Sequence, residues 1–245
     1  MKATEISDPH GLTTLNVIGT ANKFNFWMYS AIEPFCKGEI LEIGSGIGNI
    51  SAFFIEKGSN IHLSDIRPEY CDFLRKKFGT FPNYKNTHTI DLIHDNFKEE
   101  YRHLFEKFDS VFFLNVLEHI NNHHLAVSNA ITLLKPGGKL IILVPAYPFL
   151  FCDIDKELGH YRRYTAKSLK KVVSDKKVKI EKLFHFNACG IPAWFIAGKI
   201  LHSKHIEEGK MSLFNRLVPV FKFIDRIIFR KIGLSLIIVA SKPVA

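Results

Sequence analysis

Cysteine is scarce in this chain of 245 residues: Cys36, Cys71, Cys152 and Cys189 are far apart and form no Cys-x-x-Cys pair. That spacing argues against a disulfide-stapled scaffold and against a cysteine-built zinc site, and makes reduced, buried thiols the expectation. Long apolar runs are lacking too. None reaches the ~18–20 residues of a spanning helix, and the stretch Leu140–Cys152 is broken by Pro145 and Pro148. The start, MKATEISDPHGLTT, has no apolar core followed by a cleavage site, so no secretory signal is read and a cytoplasmic location is expected. There is no Gly/Ser linker and no internal repeat. What is present is 47% hydrophobic residues, 23% charged residues and 22 Phe, enough to bury a core and to exclude global disorder. One domain over residues 1–245 is the expected organisation.

Acidic residues are sparse in the second half. Residues 1–150 balance to −2, whereas residues 151–245, with 19 Lys and Arg against 8 Asp and Glu, balance to +11. Such asymmetry points to an anionic partner: nucleic acid, a membrane or an anionic small substrate.

Short apolar runs alternate with helix-period segments in the first half, as in βα units of a parallel sheet covered on both faces. The spacing predicts strands at Glu39–Ile43, Asn60–Ser64, Asn86–Ile90, Ser110–Leu114 and Lys139–Pro145. Helices are predicted at Lys23–Pro34, Ile47–Lys57, Pro68–Phe78 and His123–Leu134, with Lys135-Pro136-Gly137-Gly138 as a helix stop and turn. Further on, Val178–Phe186 and Leu234–Ser241 are strand-like. Between them, Met211–Arg230 sets Leu213, Phe214, Leu217, Val220, Phe221, Ile224, Ile227 and Ile228 at helical spacing. Asn215, Arg216, Lys222, Arg226 and Arg230 crowd the other side, which makes a basic amphipathic helix with Pro219 as a place to bend.

The strand Glu39–Ile43 runs into Gly44-Ser45-Gly46-Ile47-Gly48 and then a helix. Glycines permit a sharp turn and close backbone approach to a ligand, and the helix start offers free N–H groups. A dinucleotide fingerprint would require glycine where Asn49 stands, and no Gly-Lys-Ser/Thr closes the loop as a Walker A sequence would. The second strand ends at Asp65, 17 residues past Gly48, suited to both hydroxyls of an adenosine ribose. The third ends in Asp91-Leu92, a carboxylate for an adenine amino group beside an apolar cover, and the fourth in Asn115-Val116-Leu117-Glu118-His119.

In motif and order the sequence resembles the class I S-adenosylmethionine-dependent methyltransferases. Leu41 to Gly48 resembles their first motif, Asp65 their ribose-binding acid, Asp91-Leu92 their adenine contact and Phe108 to His119 their fourth motif. Leu133 to Gly138 resembles the turn before their fifth strand. The resemblance implies an α/β, doubly wound, seven-stranded, mostly parallel Rossmann-like sheet with a helical insertion before a last, antiparallel strand. On that basis residues 23–186 form the cofactor-binding core, 187–232 the basic insertion and 233–245 the terminal strand. The implied cofactor is S-adenosylmethionine, held by Glu42, Gly44, Ser45, Gly46, Asp65, Ile66, Asp91, Leu92, Asn115 and Val116. A narrower likeness, in Phe26 to Tyr29 and in Gly159-His160-Tyr161-Arg162-Arg163-Tyr164-Thr165, is to bacterial members of the quinone-methyltransferase-like type linked to envelope glycan or polyprenyl-lipid synthesis.

An oxygen or acidic-carbon acceptor needs a base. His119 is the candidate, with Glu118 as its orienting or metal-binding neighbour. Quinone-pathway relatives can hold a divalent metal with Glu-x-x-Glu-His; Asn115 stands at the first position here, so no metal is expected. Tyr29, His160, Tyr161, Arg162 and Arg163 are the acceptor-side candidates, the two arginines as forks for phosphate or carboxylate. The implied acceptor is a small or lipid-linked, anionic molecule, with peripheral contact to an anionic membrane through the basic helix. Nucleic acid is not expected, because Asn115-Val116-Leu117-Glu118 stands where a nucleic-acid methyltransferase would carry Asn/Asp-Pro-Pro-Tyr/Phe. The competing expectation is a methyltransferase-fold protein without catalysis that serves as a membrane-surface or partner-binding module.

Overall fold

The computed structural model describes residues 9–174 and 178–244. The expectation of no secretory signal rests in part on residues 1–8, which lie outside the described residues. The helices are α1 (Pro9–Gly19), α2 (Asn22–Ile32), α3 (Ser51–Glu56), α4 (Pro68–Phe78), α5 (Phe97–Glu100), α6 (His123–Leu133), α7 (Asp153–Glu157), α8 (Ala166–Ser174), α9 (Gly190–Phe195) and α10 (Glu208–Ile227). The strands are β1 (Ile40–Ile43), β2 (Ile61–Asp65), β3 (Tyr84–Thr89), β4 (Phe108–Leu114), β5 (Leu134–Pro145), β6 (Lys179–Phe186) and β7 (Ser235–Ser241).

All seven strands form one sheet in the order β3-β2-β1-β4-β5-β7-β6. The pairs from β3 to β5 are parallel, and β7 runs antiparallel to both β5 and β6. The order reverses between β1 and β4, the switch point where ligands bind in doubly wound sheets. Strand alternation supplies two cores. Val111, Phe113, Ile142, Val144 and Ile238 face one, under α6 and α8. Phe112, Ile141, Leu143, Ile237 and Val239 face the other, with side chains of α2, α3 and α4 and Val218 of α10.

The α4 boundaries match the sequence reading, with Pro68 in the first turn, where its missing N–H costs nothing. The turn expected at Lys135–Gly138 is instead drawn into the start of β5, paired to β4 through a register shift. The helix expected from Ile47 begins at Ser51, because the glycine turn occupies the residues before it. The thiols are free, three buried and Cys189 half-buried. No helix among the described residues is long and apolar enough to cross a membrane.

The amphipathic reading of α10 needs correction. Its inward face is Met211, Val218 and Asp225, buried, with Phe214 and Phe221 half-buried. Asn215, expected on the solvated side, accepts the Phe24 N–H of α2 at 3.0 Å. Leu213, Leu217, Val220 and Ile227, expected inside, are exposed, together with Phe223. The physical reason is width: apolar residues span more of the helix than α2 and the sheet can cover.

Candidate active site

The donor half of the site is built by the turn after β1. Gly44, Gly46 and Gly48 all have positive φ, which L side chains rarely adopt. The turn is locked to β2: Ser45 N–H donates to Ser64 O at 2.8 Å and Ser64 N–H to Ser45 Oγ at 3.2 Å. Beneath it lies Glu42, buried, with the Ser51 hydroxyl donating to its Oε2. Burial pushes the Glu42 carboxyl up to about 7, against the Ser51 and Ser45 hydrogen bonds. Glu42 therefore shapes the turn from below.

Asp65 stands at the end of β2, its Oδ2 accepting the Gly46 N–H at 3.0 Å and its Oδ1 the Arg67 N–H at 3.1 Å. Burial raises its pKa despite those N–H groups. Ile66 beside it is exposed, an apolar surface at the strand end. Asp91, half-buried, accepts the Ile93 N–H at 2.8 Å, and its own N–H donates to Tyr101 Oη at 3.1 Å. Leu92 does not offer its side chain to a ring; it is buried in the core, and its carbonyl accepts from Asn129. Asn115 is exposed with φ of 54°, and Val116 lies against the glycine turn.

These residues fit S-adenosylmethionine. A sharp turn of positive-φ glycines, an acid at the β2 end and an exposed apolar side chain next to it match a carboxylate-bearing chain, a ribose and a purine face. Sequence reasoning missed the cover. Leu15 of α1 sits over Gly46, where a Cβ would come within 3.0 Å of Leu15 Cδ1, and Asn49 Nδ2 donates to Leu15 O at 3.0 Å. A Cβ on Gly46 would thus meet α1, rather than only the cofactor's chain.

On the acceptor side, Leu117–His119 is one turn of 3-10 helix after β4. Glu118 is fully buried, whereas His119 is exposed. The loop 159–165 is laced onto this turn. The Tyr161 N–H donates to Glu118 O at 2.8 Å, and the His160 and His119 rings meet edge to face with centroids 4.6 Å apart. His160 Nδ1 lies 2.8 Å from Asp155 Oδ1. Burial pushes Glu118 up to about 7, partly offset by His160 and Arg163. Burial also pushes Asp155 upward, but the His160 and Arg163 contacts outweigh it and hold the carboxyl below its usual range.

Both arginines differ from the sequence expectation of free anion forks. Arg163 is buried, donating from Nε to Asp155 Oδ1 at 2.9 Å and lying over the Trp194 ring. Arg162 donates to the carbonyls of Ile120 at 2.9 Å and Asn121 at 3.0 Å, so much of its donor fork is used in holding the turn. Tyr161 is exposed beside it. Tyr29, expected at the acceptor, is buried among Phe26, Phe53 and Phe54 on the α2–α3 side of the sheet. Asp155, which organises His160 and Arg163, was not foreseen: nothing in its spacing distinguishes it from Asp153 nearby.

Residues 41–140 match the family described as "Methyltransferase domain". A ubiquinone biosynthesis O-methyltransferase of Xylella fastidiosa (strain 9a5c) is 26% identical over 135 residues, 55% of this chain and 52% of the relative, so the match spans about half of that protein's length. Among solved structures, a SAM-dependent methyltransferase from Archaeoglobus fulgidus superposes with a TM-score of 0.61 at 18% identity, covering 96% of this chain and 100% of the other. Phosphoethanolamine N-methyltransferase 2 of Haemonchus contortus, in complex with S-adenosyl-L-methionine, gives 0.64 at 17% identity over 99% of this chain and 61% of its own. Residues 41–140 thus match a methyltransferase domain, and the chain as a whole has the seven-stranded fold of the S-adenosylmethionine-dependent methyltransferases it resembles.

Proposed function

We propose that the protein is an S-adenosylmethionine-dependent methyltransferase acting on a small or lipid-linked, anionic acceptor. The observation that carries this reading is the juxtaposition at one sheet edge of the glycine turn, Asp65 and the Glu118–His119–His160 cluster. The donor supplies a methyl group on a sulfonium, an electrophile that needs positioning more than activation. The glycine turn would take its carboxylate-bearing chain, Asp65 its ribose and Ile66 its base. Val116, against Gly44, joins the donor turn to the acceptor-side strand end. His119, the exposed imidazole of the cluster, is the candidate base for an acceptor O–H or acidic C–H.

Support for an anionic acceptor comes from the +11 balance of residues 151–245 and from a cleft lined by His123, His124, Arg162, Ser168 and Lys171. Support for lipid delivery, and for peripheral contact with an anionic membrane, is the exposed apolar row on α10 with Arg216, Lys222 and Arg226 around it. In this reading one domain carries the core 23–186, the insertion 187–232 and the terminal strand 233–245.

Calorimetry with S-adenosylmethionine and its demethylated product tests the donor assignment. Micromolar binding of either is the expected result, and no binding below about millimolar would refute it. Mass spectrometry of extracts incubated with enzyme and labelled donor then identifies the acceptor. Saturable donor binding with no methyl transfer would favour a non-catalytic binding module instead.

A further inference from the structure

Among the described residues neither carboxylate oxygen of Glu118 has a hydrogen-bond partner, although the side chain is fully buried. A buried carboxylate without compensation is costly, so this position favours either the neutral acid or a cation beside it. Facing it at 4.0 Å is His160 Nε2. His160 is turned that way by Asp155, which binds its Nδ1 at 2.8 Å and is itself held by the Arg163 Nε at 2.9 Å and the Cys152 N–H at 3.0 Å. In the tautomer that donates its Nδ1–H to Asp155, the Nε2 lone pair faces the Glu118 carboxyl. Two acceptors then face each other at a distance too long for a shared proton, since hydrogen bonds close at roughly 3.2 Å.

A shared cation needs more room. Donors around a tetrahedral zinc ion, at roughly 2.0–2.2 Å from the metal, stand about 3.4 Å from one another. One ligand atom from each of Glu118, His119 and His160 lies within 4.8 Å of the other two. The set is two imidazole nitrogens and one carboxylate oxygen, the donor set of catalytic zinc sites that keep a position open; magnesium and calcium prefer oxygen alone. The Asp155–His160 contact is the outer carboxylate that commonly fixes a ligating histidine.

We propose that Glu118, His119 and His160 bind one divalent ion of the zinc class, with Asp155 as the outer support of His160. Glu118 was a candidate ligand from its place beside His119, but Asn115 at the first acid position argued against an ion, and His160 arrives from a different loop. On the methyltransferase reading, on which this use alone rests, a bound ion would supply Lewis acidity to an acceptor oxygen. With the ion bound, His119 would serve as a ligand, and without it as the base of the proposed function.

The test is titration of the chelator-treated full-length protein with Co²⁺, read by visible d–d absorption and competed with Zn²⁺, without donor or acceptor present. One saturable Co²⁺ per chain is expected. The signal should be lost in Glu118→Gln and His160→Ala, lost or strongly changed in His119→Ala, and weakened about 10–100-fold in Asp155→Asn. His119 is exposed and Glu118→Gln is nearly isosteric, so circular dichroism melts of these two variants guard against misfolding as the cause. No saturable Co²⁺ signal in the folded wild type, or a signal that survives both Glu118→Gln and His119→Ala, overturns the proposal. The calorimetric test of donor binding is separate, so failure of the ion site and failure of the methyltransferase reading give different results.

Discussion

A Cβ placed on Gly44 would stand 2.5 Å from Val116 Cγ2, so the donor turn after β1 and the strand end after β4 are in direct contact. The φ of +70° at Gly44 adds conformational strain for any L side chain, roughly 1–2 kcal/mol. Gly44→Ala is therefore expected to lower the melting temperature and to weaken both donor binding and turnover, because Val116 must move toward the acceptor side. Retention of wild-type donor affinity and turnover would show that the contact can relax without cost.

Asp65→Ala is expected to weaken donor binding by about 1.5–3 kcal/mol, the usual cost of losing a charge-assisted hydrogen bond. The side chain also accepts the Gly46 and Arg67 N–H groups, so a fall in thermal stability accompanies it. Asp65→Asn keeps an acceptor for one of these and separates the two effects. An unchanged dissociation constant in both variants would remove Asp65 from the donor site.

Stability should fall on both sides of a pH optimum, for separate reasons. Glu42 is raised from 4.5 to about 7 by burial, so the folded state holds its proton where the unfolded state has lost it. Its contribution is fully present below about pH 4.5 and is lost as pH rises through about 7. His88 is lowered from 6.5 to about 4 by burial and by the facing His62, whose Nδ1 is 3.2 Å from its Nε2. Its contribution is present above about pH 6.5 and is lost as pH falls through about 4. Urea unfolding across this range should show Glu42→Gln flattening the alkaline slope and His88→Gln the acidic one. A slope unchanged in the matching variant would rule that residue out as its source.

Neighbouring arginines should behave differently. Arg163→Leu leaves Asp155 buried without its guanidinium partner and is expected to cost about 3–5 kcal/mol of stability. Arg162→Ala removes donors to two carbonyls at the protein surface and should cost about 1 kcal/mol or less, while loosening the Leu117–His119 turn. Equal effects in denaturant melts would contradict the inward and outward placement of the pair.

The difference between these arginines also marks what a sequence can and cannot disclose. Strand β5 was legible because Leu140–Pro145 is a continuous apolar run, and Ile40–Ile43, apolar except for Glu42, was legible because Gly44 closes it. The helix Pro68–Phe78 was legible from its proline start and its apolar spacing. Arg162 and Arg163 are adjacent and chemically identical, and only the position of Asp155 turns one inward. Tyr29 carries the same ambiguity: an amphipathic tyrosine on a helix suits an acceptor pocket or an aromatic core, and the rings of Phe53 and Phe54 decide for the core. The cover formed by α1 was not legible, since Leu15 gains its meaning from Asn49, 34 residues away.

The row on α10 makes a last prediction. Leu213, Leu217, Val220, Phe223 and Ile227 are each more than 40% exposed, and Phe229 just beyond the helix is 80% exposed. Water is a poor solvent for so continuous an apolar surface, and Arg216, Lys222 and Arg226 around it favour a negatively charged neighbour. Sedimentation with vesicles should therefore show binding to anionic lipid that exceeds binding to neutral lipid and weakens with salt. Each of Lys222 and Arg226 should contribute about 1 kcal/mol. Leu217→Ser with Phe223→Ser should reduce binding to both lipids, because it removes the inserted surface rather than the charge, and it should leave the melting temperature nearly unchanged, because neither side chain is in the core. Equal and negligible binding of the wild type to both vesicles would mean that the row does not insert, and that the positive charge of the second half serves the acceptor or solubility alone.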